Sequence, residues 1–228
     1  MKKRLTALAL AMMMVFMVGC SDDDDGGSEK TGDRANKEQE SVVTLGEVNG
    51  NTYISRYMGI ACEFDSDWTL ADALELQDLR DMTVESMEGT TLGDVMADHT
   101  QIMDLSAESG DYRYSMNVVL TKLPKREQKL YAEMTEEELI DYNIAMGDLM
   151  VEALEAGGIT VNGLEKVFVT FLGERHAALL TSAHIGAVEY YCLQLYFYDI
   201  GEYGAVLSLC SYGGNYTEDL LDMFYSVK

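Results

Sequence analysis

Cysteine and histidine are the side chains here that most readily bind metals or act as nucleophiles. There are four cysteines and three histidines, at Cys20, Cys62, Cys192, Cys210, His99, His176 and His184. No CxxC pair is present, so the spacing favours neither a zinc site nor a thioredoxin-type redox pair. His176 and His184 are separated by about 27 Å along one extended strand, too far to share a metal ion. We predict no catalytic site, no metal and no cofactor, and we do not predict an enzyme.

Cys20 stands at an abrupt change in the character of the chain. Basic residues at 2–4 precede the apolar run Leu5–Val18, and Ser21 and four aspartates follow the cysteine. A membrane-spanning helix needs about 20 apolar residues. The shorter run is typical of the apolar region of an export signal, roughly 7–15 residues long. Residues 1–19 are therefore predicted to be a signal peptide.

The ending "MVGC" resembles the lipobox of bacterial lipoproteins. That resemblance implies a diacylglyceryl and palmitate anchor on Cys20, removal of residues 1–19, and attachment to the extracytoplasmic face of the cell membrane. Two or more acyl chains anchor a protein stably. The alternative is an ordinary secretory signal with an incidental cysteine.

The charge of the chain restricts its partners. It has 16 basic and 40 acidic residues, a formal net charge of −24. Such a polyanion repels nucleic acid and anionic lipid head groups. We therefore predict no nucleic-acid partner, and membrane attachment through lipid on Cys20 rather than through charge.

Composition divides the remainder into two parts. Residues 20–46 are mostly Asp, Gly, Ser, Glu and Lys, a composition that cannot bury enough apolar surface to fold. They are predicted to be a disordered acidic tether that begins at the lipidated cysteine. Residues 47–228 are long enough for a single domain with its own core.

Within 47–228, strand and helix patterns alternate in a definite order. Strands are predicted over 46–65, a short helix after possible caps at Ser66 and Asp67, a second short helix over 90–99, and a hairpin over 102–123. A long helix begins at the capping box Thr135–Glu138 and ends at Gly157. A four-strand meander and a final helix from Thr217 follow. Because the meander is apolar on both faces, we predict an α/β (α+β) fold: an antiparallel sheet of about six strands with helices on both faces.

The early hairpin carries a recognisable spacing of residues: Asn51, Tyr53, Gly59, Ile60, Phe64 and Trp68. With the order of elements, this segment resembles the PsbP/Mog1-like fold, and more closely uncharacterised lipoproteins of Gram-positive bacteria. The pattern usually has a proline near position 65 and a glycine at position 67, and this sequence departs from it with Asp65 and Asp67. The resemblance implies a binding or assembly module that contacts an unknown envelope protein or small ligand. The alternative function is an envelope-associated hydrolase.

Two sets of side chains in the meander leave alternatives open. Six of the 14 tyrosines could form a recognition surface or could simply pack the sheet: Tyr190, Tyr196, Tyr198, Tyr203, Tyr212 and Tyr216. Cys62, Cys192 and Cys210 could remain buried thiols, or Cys210 could bridge to Cys192 or to Cys62.

Overall fold

A seven-stranded antiparallel sheet forms the centre of the domain, with strand order β4-β5-β6-β10-β9-β8-β7. The computed structural model describes residues 46–87, 90–91, 100–198 and 201–227. The predicted signal peptide, Cys20, the tether up to residue 45 and most of the predicted helix over 90–99 lie outside the described residues. The strands of this main sheet are β4 (Trp68–Leu70), β5 (Gln101–Ser109), β6 (Tyr114–Lys122), β7 (Ile159–Phe171), β8 (Glu174–Ile185), β9 (Val188–Phe197) and β10 (Tyr203–Tyr212).

A smaller four-stranded sheet has the order β1-β2-β3-β11. It is built from β1 (Glu47–Asn49), β2 (Thr52–Ser55), β3 (Ile60–Glu63) and β11 (Phe224–Ser226), all antiparallel. The first three come from the hairpin region predicted from sequence, and the fourth is the C-terminal segment.

Two hydrophobic cores lie on opposite faces of the main sheet. The helix-side core contains Tyr131, Leu139 and Ile140 with side chains from β8, β9 and β10. The small-sheet core contains Tyr53, Cys62 and Phe64 with the alternate side chains of the same strands. Period-two alternation assigns neighbouring residues of one strand to different cores, so the domain has three layers.

The mixed α/β class with antiparallel sheets is confirmed, and the layers refine it. The main sheet has seven strands, and helices cover one of its faces. The other face is covered by the small sheet and by a 3-10 helix, Thr217–Met223. The predicted C-terminal helix is thus a 3-10 helix followed by a strand, because β-forming Phe224 and Tyr225 pair with Cys62 and Ala61.

The predicted long helix is divided in two. Helix α3 (Glu136–Ala145) begins with the predicted capping box, and α4 (Gly147–Ala156) follows after Met146. A Cβ at Gly147 would lie 2.6 Å from Leu164 Cδ1 in β7. Glycine therefore permits the close approach of α4 to the sheet, and its low helix propensity favours a break here. Before α3 lies α2 (Lys125–Ala132).

The first described helix, α1 (Ala73–Met87), begins later than predicted. Asp72 Oδ1 accepts hydrogen bonds from the backbone N–H groups of Leu74 and Glu75 at 2.9 and 3.0 Å, and Glu75 Oε2 accepts from Asp72 N–H at 2.9 Å. Asp72 is therefore the N-cap, and the predicted caps Ser66 and Asp67 are wrong. Ser66 and Asp67 cannot cap α1 because strand β4 lies between them and the helix, with Trp68 paired opposite Ser109 in β5.

Within the described residues, no helix combines the length and apolar character needed to cross a bilayer.

Phe171 and Phe168, on the same strand, offer a matched test of the layered arrangement. Phe171 is 1% exposed and its ring lies 5.6 Å from that of Phe224 and 6.2 Å from that of Phe197. Phe171→Ala should lower the free energy of unfolding by about 3–5 kcal/mol because it opens a cavity between the two sheets. Phe168 is 41% exposed and contacts Arg175, so Phe168→Ala should cost at most about 1 kcal/mol. Urea unfolding of both variants would measure the difference. Equal losses of unfolding free energy would contradict the placement of Phe171 between the sheets and of Phe168 at the surface.

Candidate functional site

A pocket of about 530 Å³ lies where the small sheet, β4, the start of α1 and β5 meet. Its apolar lining includes Trp68, Leu70, Leu76 and Met103. Its polar lining includes Asn51, Asp72 and Asp104, together with the backbone at Gly46. Ligand pockets are typically concave sites of this size that combine apolar walls with a few polar groups.

A β-bulge places Asp104 at this pocket. The pairing of β5 with β6 shifts register between Met103 and Leu105, which leaves Asp104 without a partner residue on β6. Bulges re-aim side chains in this way and occur often beside functional sites. Asp104 is 4% exposed, so the bulge puts a carboxylate into the wall of the domain.

The Asp104 carboxylate accepts one hydrogen bond at each oxygen. Gly46 N–H donates to Oδ1 and Tyr53 O–H donates to Oδ2, both at 2.6 Å. Burial raises the pKa of Asp104, and the two hydrogen bonds oppose that rise. Burial, followed by the charge of Asp104, raises the pKa of Tyr53, so its hydroxyl remains a donor at neutral pH. Asp104 thereby joins β5, β2 and the backbone at Gly46, the first described residue.

The segment that resembles the PsbP/Mog1-like pattern forms one wall of the pocket. Trp68, the single tryptophan of the chain, packs its ring 5.2 Å from that of Phe64. Phe64 N–H donates to the carbonyl of Asn51 at 2.8 Å, and Asn51 and Trp68 both line the pocket. The spacing of these residues therefore serves packing that shapes the pocket.

The six predicted tyrosines do not share one surface. Tyr190 is fully buried, and Tyr196 and Tyr198 are 8% and 7% exposed in the helix-side core. The packing alternative describes these three, because they lie beneath helices and cannot contact a partner directly. Tyr198 stacks on Tyr131 with ring centroids 4.6 Å apart.

The other three tyrosines are nearer the surface. Tyr203 and Tyr57 pack edge to face, and the Tyr57 hydroxyl bonds both backbone groups of Tyr203 at 3.0 Å. Tyr212 is half-buried beside Tyr190, and Tyr216 is 40% exposed. A recognition role for Tyr203, Tyr212 and Tyr216 stays a prediction.

The three cysteines of the domain are buried free thiols in this structure. Cys192 and Cys210 lie opposite each other on β9 and β10 with Sγ atoms 3.1 Å apart, and Tyr190 O–H donates to Cys210 Sγ at 3.0 Å. Cys62 belongs to the core on the other face of the sheet, so the fold does not bring it together with Cys210 for the alternative disulfide. Burial raises the pKa of Cys62 to about 12, which disfavours a nucleophilic thiolate.

The described histidines lie outside the pocket lining. His176 Nδ1 is 2.8 Å from Glu136 Oε1, and His184 Nδ1 is 2.7 Å from Asn162 Nδ2. His99 is outside the described residues. In the described part of the chain, no three His, Cys, Asp or Glu side chains converge as a metal site would require.

The sequence prediction missed Asp72 and Asp104. Asp104 had a recognisable signal, since it is a lone acid inside the apolar strand "QIMDLSAES". Such an acid is buried only when it is hydrogen-bonded, which usually reflects a specific structural role.

Nine chains among the solved structures are similar to this one. The solution structure of the cyanobacterial PsbP (CyanoP) from Synechocystis sp. PCC 6803 is similar with a TM-score of 0.41 and 11% sequence identity, over 80% of this chain and 98% of that one. This likeness concerns the fold alone. No family model and no curated protein matches the sequence.

The Asp104 carboxyl should make stability depend on pH in a defined direction. A raised pKa means that the folded protein binds this proton more tightly than the unfolded chain, so the stabilisation is greatest at acid pH and is lost as pH rises through the folded-state pKa. Asp104→Asn removes this titration. Its free energy of unfolding, relative to the parent protein, should therefore increase as pH rises from about 4 towards 7.

Urea unfolding at a series of pH values would measure that relative change. Asp78→Asn, on an exposed position of α1, is the matched control and should show no such trend. A relative stability of Asp104→Asn that falls with rising pH would contradict the assignment.

Proposed function

We propose that this protein is a lipid-anchored, extracytoplasmic binding module of the PsbP/Mog1-like lipoprotein type found in Gram-positive bacteria. In this proposal Cys20 holds it to the cell membrane, and the pocket beside Asp104 and Trp68 takes a small ligand or a segment of an envelope protein. The observation that carries the proposal is the pocket itself, with its apolar walls, its single tryptophan and its two carboxylates.

The position of the pocket supports a tethered role. Gly46 both lines the pocket and donates to Asp104, so in this proposal the tether would join the domain beside the pocket. A flexible tether formed by residues 20–46 would extend about 28 Å. A domain held in this way meets envelope components close to the membrane without being embedded in it.

The contacts of the pocket favour binding over the hydrolase alternative. Hydrolysis requires a general acid and base that can reach substrate. Asp72 and Asp104 are the titratable side chains in the lining, and both already accept hydrogen bonds that hold a helix cap or the chain entry. These engaged carboxylates are better suited to orienting a ligand than to exchanging protons with it.

Replacing Cys20 tests the anchor. Metabolic labelling with a fatty-acid probe should label the parent protein and the Cys62→Ser control, and should not label Cys20→Ser, which lacks the acylated sulfur. Label that persists on Cys20→Ser would refute the anchor and would leave the pocket proposal intact.

Filling the pocket tests the binding role. Ala73 lines the pocket, so Ala73→Phe should obstruct it, whereas Leu74→Phe changes a neighbouring side chain that is 74% exposed and outside the lining. Since Trp68 is the single tryptophan, its fluorescence reports occupancy directly. A low-molecular-weight envelope extract should shift the fluorescence of the parent protein and of Leu74→Phe, and the shift should be lost in Ala73→Phe. No shift in any of the three would refute ligand binding at this pocket.

A further inference from the structure

We infer that the pocket selects an organic ammonium ion attached to an apolar body. This inference rests on the proposed binding function and names the chemical class of the ligand. It is carried by the combination of a cavity, an indole ring and carboxylates in one lining, to which the described part of the chain contributes no lysine or arginine.

The charge inside the pocket is negative. Asp72 and Asp104 both line it, and Glu75 belongs to the Asp72 capping box at the same helix end. The α1 N-terminus contributes roughly half a positive charge. That partial charge is smaller than the charge of Asp72 alone when ionised, so the field still favours a cation.

Asp72 has an oxygen that a ligand can use. Its Oδ1 accepts both helix-capping hydrogen bonds, and no described residue donates to its Oδ2. Asp72 is exposed and fixed in orientation by the cap. An ammonium group has donors for that oxygen and would not disturb the helix start.

Trp68 and the apolar wall define the rest of the ligand. An indole face is the strongest aromatic partner for a cation. Leu70, Leu76 and Met103 offer apolar contact to a carbon skeleton. The net charge of −24 also attracts cations and repels anions over longer distances. A small ligand with ammonium at one end and an apolar group at the other matches each of these features.

Three probes of similar shape test the inference through Trp68 fluorescence: 2-phenylethylammonium, 2-phenylethanol and 3-phenylpropionate. The ammonium should bind about tenfold more tightly than the alcohol, from one ion pair and one cation–π contact. The carboxylate should bind most weakly. Added salt should weaken binding of the ammonium probe and leave binding of the alcohol probe unchanged.

Asp72→Asn provides the matched variant, because asparagine is an equally good helix N-cap and removes one charge. It should weaken ammonium binding about threefold and affect 2-phenylethanol binding less, because the alcohol carries no charge. Asp78→Asn, on the same helix and outside the lining, should change neither.

The outcomes separate this inference from the proposed function. Equal binding of ammonium and alcohol, with no effect of Asp72→Asn, would overturn the cation preference and leave the pocket as a binding site. The same conclusion follows if the envelope extract shifts Trp68 fluorescence and none of the probes does. If neither the extract nor any probe shifts it, both the inference and the binding function fall.

Discussion

The central strands of this domain are apolar on both faces, and that single constraint determines its three layers. Leu207 and Val206 are neighbours on β10, are both buried, and belong to different cores. A sheet of this kind must be covered on each side. Helices cover one face, while the small sheet and the 3-10 helix cover the other. The pocket lies where the small sheet, β4, β5 and α1 come together, at the margin of the main sheet.

The helix-side core is built with tyrosine more than with phenylalanine, and the hydroxyl groups account for part of that choice. Tyr196 O–H donates to Gln194 Oε1 at 3.1 Å, and Gln194 Nε2 lies 3.3 Å from Ser208 Oγ on the next strand. All three residues are buried. Buried polar groups stabilise a unique packing only when they are hydrogen-bonded. Gln194 thus links Tyr196 on β9 to Ser208 on β10 under the helices, whereas the hydroxyl of Tyr131 in the same core has no hydrogen-bond partner among the described residues.

Local sequence patterns predicted the features that depend on neighbours in the chain. The meander, the β5–β6 hairpin and the Thr135–Glu138 capping box are all present. Features that depend on distant partners were not predicted. The C-terminal segment became β11 because β3 offered a free edge, and Ser66 and Asp67 could not cap a helix because Trp68 pairs with Ser109.

The candidate site belongs to this second category. Its residues come from three separate parts of the chain, around Gly46, Trp68–Leu76 and Met103–Asp104. The Asn51–Trp68 pattern spans two of these parts, but no spacing motif includes Asp104, which the bulge and its hydrogen bonds to Gly46 and Tyr53 bring to the site. Two features of the sequence point to this site. Trp68 belongs to the segment that resembles PsbP/Mog1-like proteins, and Asp104 is the lone acid in the apolar part of β5. Three of the six tyrosines predicted as a possible recognition surface lie in the core instead. Their burial depends on which face of the strand they occupy and on what covers that face.

The tether and the charge of the domain act together in the proposed membrane-anchored state. In that state residues 1–19 and their three basic residues are removed, so anionic head groups would repel a chain whose 40 acidic residues outnumber its 13 basic residues by 27. That repulsion is screened over about 8 Å at physiological salt. The tether extends about 28 Å, several times farther, so the domain can stand clear of the membrane surface at little electrostatic cost. In that proposed state the tether would join the domain at Gly46, whose N–H donates to Asp104, so the length of the tether would limit how far the pocket lies from the membrane.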